Sequence, residues 1–358
     1  MSKLFTPLTF DVKNPVLRSP MEEWAPHAKM SDKSFEWWYT TTIAYDASGN
    51  PYFIFFVIVN YTGDAQAKMF GIDVPDGQRV VGIIGLVSDY NQNKFYVPKV
   101  IGVMKDSEIW DAERNAVLCK AGDYTTSWSY QNDQMKITMT SPKITFDFNL
   151  SNANEVVFHK DRLGIEGFIQ EGREDDFSFY YSMPRTPLTG TMSLTDESGK
   201  KRDIVVSGIS WVDRQWGDFM TREWEWSSFR FNNGARVHLY SFFNGLQEGL
   251  YLSSDGKVQH FDNVVVKQNG YAKSPKVGTW VSYGWTYEFP IEIEGSKNYT
   301  VIPFSNLEWQ EYPEKNFALY EGGGKLVNDE TGEQVGVSVN ESADVRQMGN
   351  EPYGKNQR

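Results

Sequence analysis

The sequence predicts an all-β protein with two tandem antiparallel β-barrels. Apolar and polar residues alternate with a period of two, for example along 144–150 and 177–183. Turn sequences such as Asp76-Gly77 and Asn232-Asn233-Gly234 separate many of these segments. No segment carries a sustained apolar stripe at a period of about 3.6 residues, so we expect few helices. The strand candidates exceed one compact barrel, and two barrels or sandwiches in tandem are the economical arrangement.

Besides 144–150 and 177–183, the alternation predicts a series of strands along the chain. In chain order they are 52–59, 80–87, 94–103, 135–140, 163–169, 189–196, 203–212, 224–231, 236–243, 258–268, 276–285, 287–293 and 299–304. We expect a first barrel over 1–210 with an extended, proline-rich lead-in over 1–35, and a second barrel over 211–342. The segment 343–358 has almost no apolar residues and predicts a disordered tail.

Charge and hydropathy exclude several classes of partner. The chain has 35 Lys and Arg against 47 Asp and Glu, a net charge of -12, which disfavours nucleic acid. The longest apolar run, Tyr52–Val59, is far shorter than the roughly 20 residues of a membrane helix, so no membrane insertion is expected. The first residues lack the apolar region of a signal peptide. We therefore expect a cytoplasmic protein, or a secreted one if a signal has been removed, and leave monomer and homodimer open.

The histidine and cysteine content predicts no metal and no organic cofactor. Cys119 is the only cysteine, which excludes an intrachain disulfide and a thiolate cluster. The histidines show no metal-ligand spacing; they are His27, His159, His238 and His260. Phosphate-loop, dinucleotide and Gly-x-Ser-x-Gly patterns are absent from the sequence. Nucleotide and acyl-serine chemistry are therefore not expected.

Aromatic residues are the most informative part of the composition. They make up 15% of the chain, with 12 Trp, 19 Tyr and 23 Phe, enough to line a large apolar cavity. Two dense clusters combine them with acids, Glu36–Tyr39 and Ser210–Phe219, and Trp224-Glu225-Trp226 follows closely. We therefore expect an apolar small molecule as the partner and these clusters as its site.

Strand periodicity makes Asp213 the leading candidate for an acid. It shares a face with Trp211 and Gln215, while Val212 and Arg214 lie on the other face. If the first face lines a cavity, burial against indole raises the pKa of Asp213 and keeps it protonated, ready to protonate a substrate. The alternative is a structural one. Asp213 would then pair with Arg214 or another arginine as a buried tie between the barrels.

Glu36 and Tyr39 are the other candidate catalytic residues. Glu36 shares a face with Trp38, and its alternative role is a salt bridge such as one to Arg185. Tyr39 could hydrogen-bond a bound water, although a buried tyrosine usually packs and makes one hydrogen bond. The candidate substrate-binding residues are Trp37, Trp38, Arg185, Trp211, Arg214, Trp216, Trp224 and Trp226. We expect Trp37 or Trp38, with Trp211 and Trp216, to line one cavity.

Four segments of the chain resemble a known family. They are Glu36–Tyr39, Phe177–Arg185, Gly208–Gly217, and Tyr320-Glu321-Gly322 with the following Gly332 to Gly336 turn. Over about residues 30–345 the sequence resembles the lipocalin-like family of the carotenoid 1,2-hydratases and AttH-type proteins. Its relatives include kievitone hydratase and, more distantly, lipocalin-like Diels-Alderases.

The resemblance implies two lipocalin-like barrels and cofactor-free chemistry on apolar molecules. Carried over by position, the hydratase acid falls on Asp213. Arg214-Gln215 stands where many attachment-type members have His-Glu, which removes one acid or base. Three functions remain open: a hydratase of a C=C double bond in an isoprenoid or polyketide-like molecule, a pericyclase that folds a polyene, and a carrier of an apolar ligand.

Overall fold

The computed structural model confirms the all-β fold. It describes residues 19–68, 71–173, 175–220, 223–242, 244–305, 309–312 and 317–343. Within these ranges helix is limited to α1 (Asp64–Lys68) and a short 3₁₀ turn (Asp106–Glu108). None of the described helices is long and apolar enough to cross a membrane. The predicted lead-in before residue 19 and the predicted tail from residue 344 lie outside the described residues.

The chain forms two compact units that do not follow a single cut in the sequence. The N-terminal unit contains the described residues of 19–158 and 177–219. The C-terminal unit contains those of 159–176 and 220–343. The predicted boundary at 210 falls within a strand that continues to Asp218, because its residues stay paired with two neighbouring strands up to that point.

The N-terminal unit is a curled antiparallel sheet. Its strands are β1 (Ser34–Asp46), β2 (Pro51–Tyr61), β3 (Gln78–Asp89), β4 (Lys94–Tyr96), β5 (Lys99–Lys105), β6 (Trp110–Asp111), β7 (Ala116–Ala121), β8 (Tyr124–Gln131), β9 (Gln134–Thr140), β10 (Ile144–Leu150), β11 (Val157–Phe158), β13 (Phe177–Thr195) and β14 (Lys201–Asp218); the short β12 (Phe168–Gln170) belongs to the C-terminal unit. The order is β4-β3-β2-β1-β14-β13-β10-β9-β8-β7-β6, with β5 beside β3 and β11 beside β13. The first and last thirds of this unit's sequence therefore meet at the β1–β14 pair.

A second antiparallel sheet forms the C-terminal unit. Its strands are β15 (Trp224–Phe231), β16 (Arg236–Phe242), β17 (Gln247–Leu252), β18 (Val258–Phe261), β19 (Val265–Lys273), β20 (Trp280–Ile293), β21 (Ser296–Pro303), β22 (Trp309–Tyr312), β23 (Phe317–Asn328) and β24 (Gln334–Ala343). The order is β18-β17-β16-β15-β24-β23-β21-β20-β19, with β22 beside β23. The sheet places β15, β16 and β17 side by side, and these strands carry several polar buried residues.

Each unit encloses its own apolar core on one face of its sheet. In the N-terminal unit the even-numbered residues of β2 and β14, such as Phe56 and Val212, pack into that core. In the C-terminal unit the odd-numbered residues of β15 and β16 do so, for example Phe229 and Val237. The opposite faces of these strands are also buried in many places. There β14, β15 and β16 carry polar side chains such as Asp213, Ser228 and His238, whereas β2 carries apolar ones such as Phe55. This asymmetry decides where the candidate sites lie.

Several predicted strands differ from the observed ones. The segment 163–169 is mostly turn and becomes a strand only at Phe168–Gln170. The segment 276–285 begins only at Trp280, where it joins 287–293 into one long strand. Two further segments, 94–103 and 258–268, are each divided into two strands. These segments contain apolar residues as strands do, but loops also bury apolar side chains. Alternation alone therefore placed the ends of these strands wrongly.

Candidate functional site

Asp213 lies in the middle of the sheet of the N-terminal unit. Its strand, β14, runs between β1 and β13, and Asp213 stands directly opposite Tyr39 on one side and Ser182 on the other. Directly opposed residues in an antiparallel pair point to the same face. The strand can pass this close to β13 because Gly217 has no side chain; a Cβ there would lie 2.1 Å from the Phe177 carbonyl oxygen.

Within the described part of the chain, the groups that donate hydrogen bonds to the Asp213 carboxyl group include an indole and two hydroxyls. The Trp211 indole Nε1–H donates to Oδ1 at 2.6 Å, and the Ser182 hydroxyl donates to the same oxygen. The Tyr180 hydroxyl donates to Oδ2 at 2.9 Å. Asp213 is only 3% exposed, so these bonds form away from bulk water. The carboxyl group is therefore held in one orientation, with Oδ2 facing a phenol.

The surroundings of Asp213 on this face are aromatic. Tyr39 lies opposite it on β1, and the Tyr39 ring is 5.4 Å from the Phe55 ring on β2. Gln215, two residues further along β14, donates to the Ser178 hydroxyl at 2.7 Å. The predicted contact between Asp213 and indole is thus present, on the face of the sheet opposite the apolar core.

Glu36 lies on the other face of the same pair of strands and is part of an ion pair. The Arg214 Nη2 donates to Glu36 Oε2 at 2.5 Å, and the His27 Nδ1 lies 3.1 Å from the same oxygen. Asn60 donates to Oε1 at 2.6 Å. Burial raises the pKa of Glu36, but Arg214 and His27 outweigh that effect and lower it from 4.5 to about 2. Glu36 is therefore an ionised partner of Arg214 at neutral pH.

Two salt bridges were offered as alternative roles for Asp213 and Glu36, and the arginines named for them have other partners in the structure. Arg214, offered as a partner of Asp213, points to the opposite face and pairs with Glu36. Arg185, offered as a partner of Glu36, donates from Nε to Glu155 at 2.6 Å. Alternation itself places Arg214 on the face opposite Asp213. The Arg185 partner was wrong for another reason, since alternation does not show which strand lies next to Glu36.

The predicted tryptophan cavity is divided by the sheet. Trp37 and Trp211 stand on the Asp213 face, because they oppose Gln215 and Thr41 in the register. Trp38 and Trp216 belong to the apolar core on the opposite face. There the Arg214 guanidinium lies 4.0 Å from the Trp38 ring centre, and His27 stacks on Trp216 at 4.2 Å. The four residues therefore do not line one cavity.

Trp224 and Trp226 lie in the C-terminal unit, on β15. The Trp224 indole Nε1–H donates to Glu341 Oε2 at 3.1 Å. Trp226 is buried, with its ring 5.6 Å from that of His238. The run of tryptophans from 211 to 226 is contiguous in sequence, but the chain passes from one unit to the other between Phe219 and Met220. These two residues are therefore not neighbours of Trp211 within one sheet.

The C-terminal unit contains a cluster that the sequence did not predict. His159 Nδ1 lies 3.0 Å from Glu248 Oε2, and His238 Nδ1 lies 2.8 Å from the same oxygen. His260 Nδ1 is 4.0 Å from Glu248 Oε1. Three of the four histidines in the chain thus surround one buried carboxylate. Their separations of 79 and 22 positions in sequence carry no recognisable metal-ligand spacing, and only the strand order brings them together.

Burial and charge set the protonation states in this cluster. Burial raises the pKa of Glu248, but His159 and His238 outweigh this and hold it well below its usual range. Burial lowers the pKa of His159 to about 4, against the opposing effect of Glu248. An ionised carboxylate therefore faces a neutral His159 imidazole at physiological pH.

Tyr180 and Ser182 are the residues of the Asp213 site that the sequence interpretation missed. Both lie within the predicted strand 177–183, on the face opposite Phe177, Phe179 and Tyr181. Their proximity to Asp213 follows from the pairing of β13 with β14. The signal that could have found them is the short link between these strands, Asp196–Lys200, which favours an antiparallel hairpin.

The family follows from a comparison of the whole sequence with known families. The profile described as AttH-like matches residues 19–336, which is most of the chain. The chain belongs to the AttH-like family. This confirms the family predicted from the aromatic motifs. None of the curated protein sequences matches the chain significantly.

Two solved structures show the same fold over nearly the whole chain. An AttH protein from Nitrosomonas europaea superposes with a TM-score of 0.72 at 16% identity, covering 96% of this chain and 99% of that chain. Kievitone hydratase from Nectria haematococca superposes with a TM-score of 0.66 at 13% identity, covering 94% of this chain and 95% of that chain. At these identities the similarity establishes the fold of this AttH-like protein, which is the lipocalin-like one that its sequence predicted.

Proposed function

We propose that this AttH-like protein is a hydratase that adds water to a C=C double bond of an apolar isoprenoid or polyketide-like molecule, with Asp213 as the proton donor. The observation that carries the proposal is the buried Asp213 carboxyl group, oriented by Trp211, Ser182 and Tyr180. Support comes from the AttH-like family and from the shared fold of kievitone hydratase. We also propose a cytoplasmic location and no organic cofactor.

The arrangement of Asp213 suits protonation of carbon. Alkenes are weak bases, so the acid must be held against the double bond without competing water, and the burial of Asp213 meets the second of these conditions. Trp211 and Ser182 both donate to Oδ1, which leaves the acidic proton on Oδ2. In this protonated state Oδ2–H donates to the Tyr180 oxygen, 2.9 Å away, so the hydrogen bond runs in the reverse direction from the one that the ionised carboxylate accepts. Tyr180 thus positions the proton or relays it.

The proposed reaction regenerates its acid. The π electrons of the alkene take the proton from Asp213, which leaves a carbocation and a carboxylate. Water adds to the cation, and the proton that this water loses returns to Asp213. Nearby aromatic rings such as those of Tyr39 and Phe55 can stabilise the cation through their π faces. Glu36 has no part in this step, because its charge is compensated by Arg214.

The test is incubation of the purified protein with three probes: a prenylated isoflavonoid, an acyclic carotenoid and a linear polyene. A hydratase yields a product that gains the mass of one water, and in D₂O it carries one deuterium bound to carbon. A product of unchanged mass would identify a cyclase or isomerase instead, as expected for a pericyclase. Quenching of tryptophan fluorescence by a probe that is recovered unchanged would indicate a carrier. Either of these outcomes would overturn the proposed hydratase.

A further inference from the structure

The cluster around Glu248 has the composition of a metal site. One ligand atom from each of His159, His238 and Glu248 lies within 4.8 Å of both others. All three side chains are at most 1% exposed. Ionised groups are seldom buried this deeply unless they are paired or bind a metal. Two imidazoles and one carboxylate that converge inside a protein therefore call for a chemical explanation beyond packing.

The sheet of the C-terminal unit fixes the positions of these residues. His238 on β16 and His260 on β18 both stand opposite Leu250, so they share one face of the sheet. Glu248 lies two residues before Leu250 on β17 and points to the same face. His159 comes from the segment between β11 and β12 and contacts Glu248 on that face. Regular strands, rather than a loop, therefore hold two of the three groups.

A small polar cavity adjoins the cluster. Its volume is about 120 Å³, enough for a few water molecules, and Glu248, Asp161, Gln170 and Asp262 are among the residues that line it. Gln170 is only 2% exposed, and neither its Oε1 nor its Nε2 has a hydrogen-bond partner within the described part of the chain. Buried amides are almost always hydrogen-bonded. The cavity is therefore built to hold water or a ligand beside Glu248.

We propose that His159, His238 and Glu248 bind a divalent transition-metal ion, zinc in the first place, with a fourth position that opens toward this cavity. Two histidines and one glutamate with an open position are the donor set of solvent-accessible zinc sites. Magnesium and calcium are disfavoured, because they select oxygen donors over imidazole. Gln170 lines the same cavity as Glu248, so its amide is the group that we expect to hydrogen-bond a metal-bound water.

The observed distances fit this ion with small movements. Zinc bonds of about 2.0 to 2.2 Å in a tetrahedron separate neighbouring ligand atoms by about 3.3 Å. Glu248 Oε2 is 2.8 Å from His238 Nδ1 and 3.0 Å from His159 Nδ1. Each of these two nitrogen atoms needs to move away from Glu248 Oε2 by about half an ångström at most. Side-chain rotation provides this without any change in the strands.

The experiment titrates the full-length protein, stripped with a chelator, with Zn²⁺ by calorimetry and with Co²⁺ by visible absorption. We expect one equivalent of Zn²⁺ per chain and the intense visible bands of four-coordinate Co²⁺. His238→Gln and Glu248→Gln should each weaken Zn²⁺ binding by at least about 100-fold. Residues that only hydrogen-bond to metal ligands typically change metal affinity by about 10- to 100-fold, so a loss of this size indicates a direct ligand. His27→Gln, a histidine of the N-terminal unit, is the matched control and should bind as the wild type does.

Two results would overturn the metal site. The first is a wild-type protein that takes up no Zn²⁺ and gives only the spectrum of hexaaqua Co²⁺, a result that needs no variant to fold. The second is uptake that His27→Gln reduces as much as His238→Gln does, in variants that circular dichroism shows to be folded. The proposed hydratase is tested separately, because Asp213→Asn leaves all three metal ligands intact and should bind Zn²⁺ normally.

Discussion

The pair β1–β14 holds a buried carboxyl group on each of its two faces, and the two have different partners. Asp213 accepts hydrogen bonds from an indole, a phenol and an aliphatic hydroxyl. Glu36 pairs with the Arg214 guanidinium. The difference shows how adjacent positions of one strand can serve opposite purposes, since Asp213 and Arg214 are neighbours in sequence. Charge compensation fixes Glu36 as an anion, whereas the indole and hydroxyl groups that contact Asp213 hold its carboxyl group in one orientation.

Breaking the ion pair between Arg214 and Glu36 should cause the greatest loss of stability. Arg214→Met removes the guanidinium that lies nearest to the buried Glu36 carboxylate and leaves it with Arg79, at 4.0 Å, and His27, at 3.1 Å. Breaking a buried ion pair in this way costs about 3 to 5 kcal/mol in the free energy of unfolding. Chemical denaturation measures this directly. Arg185→Met is the matched control, because its pair with Glu155 is more exposed and should contribute about 0 to 1 kcal/mol. Equal losses in the two variants would contradict the structural role of Arg214.

Acid should destabilise the Glu36 face next. The pKa of Glu36 is about 2 in the folded protein and 4.5 ordinarily, so its contribution to stability is complete above pH 4.5. That contribution is lost progressively as the pH falls from 4.5 toward 2. Melting temperatures measured across this range should fall more steeply in the wild type than in the double variant Glu36→Gln/Arg214→Met. Parallel profiles would show that Glu36 does not carry this charge in the folded state.

Removing the Tyr180 hydroxyl on the Asp213 face should have a smaller effect on stability than the loss of Arg214. Tyr180→Phe removes the hydroxyl that contacts Oδ2 and should lower hydration by about 10-fold or more. Its cost in stability should be only about 1 kcal/mol, the usual value of one hydrogen bond. The measurement compares turnover with the melting temperature in the same preparation. A stable Tyr180→Phe protein with unchanged turnover would remove Tyr180 from the proton path.

Sequence periodicity correctly predicted which residues of β14 share a face, but it did not predict which residues of the adjacent strands contact them. Alternation at period two places Trp211 with Asp213 and Val212 with Arg214, and the structure confirms both pairs of assignments. Ser182 and Tyr180 reach Asp213 through the pairing of β13 with β14. That pairing depends on register and strand order, which a single sequence specifies only weakly.

The Glu248 cluster shows the same limit more severely. His159, His238 and Glu248 come from an irregular segment and two strands, and no local pattern connects them. The spacing of ligands along the sequence predicts a metal site only when one hairpin or helix supplies those ligands. The spacing of the histidines therefore did not reveal this cluster. The fold class could be predicted because alternation and turn sequences are local signals that recur along the chain. The two candidate sites could not be predicted in full, because they depend on a few long-range contacts.

Asp213→Asn tests the claim that Asp213 supplies the proton for hydration. The substitution keeps the size and polarity of the side chain but removes the transferable proton. We expect hydration of a responsive probe to fall by about 10² to 10⁴-fold, while ligand binding and melting temperature change little. Asp147→Asn is the matched control, since Asp147 is half exposed and pairs with Lys136 on a neighbouring strand. Full turnover in a folded Asp213→Asn protein would contradict the claim.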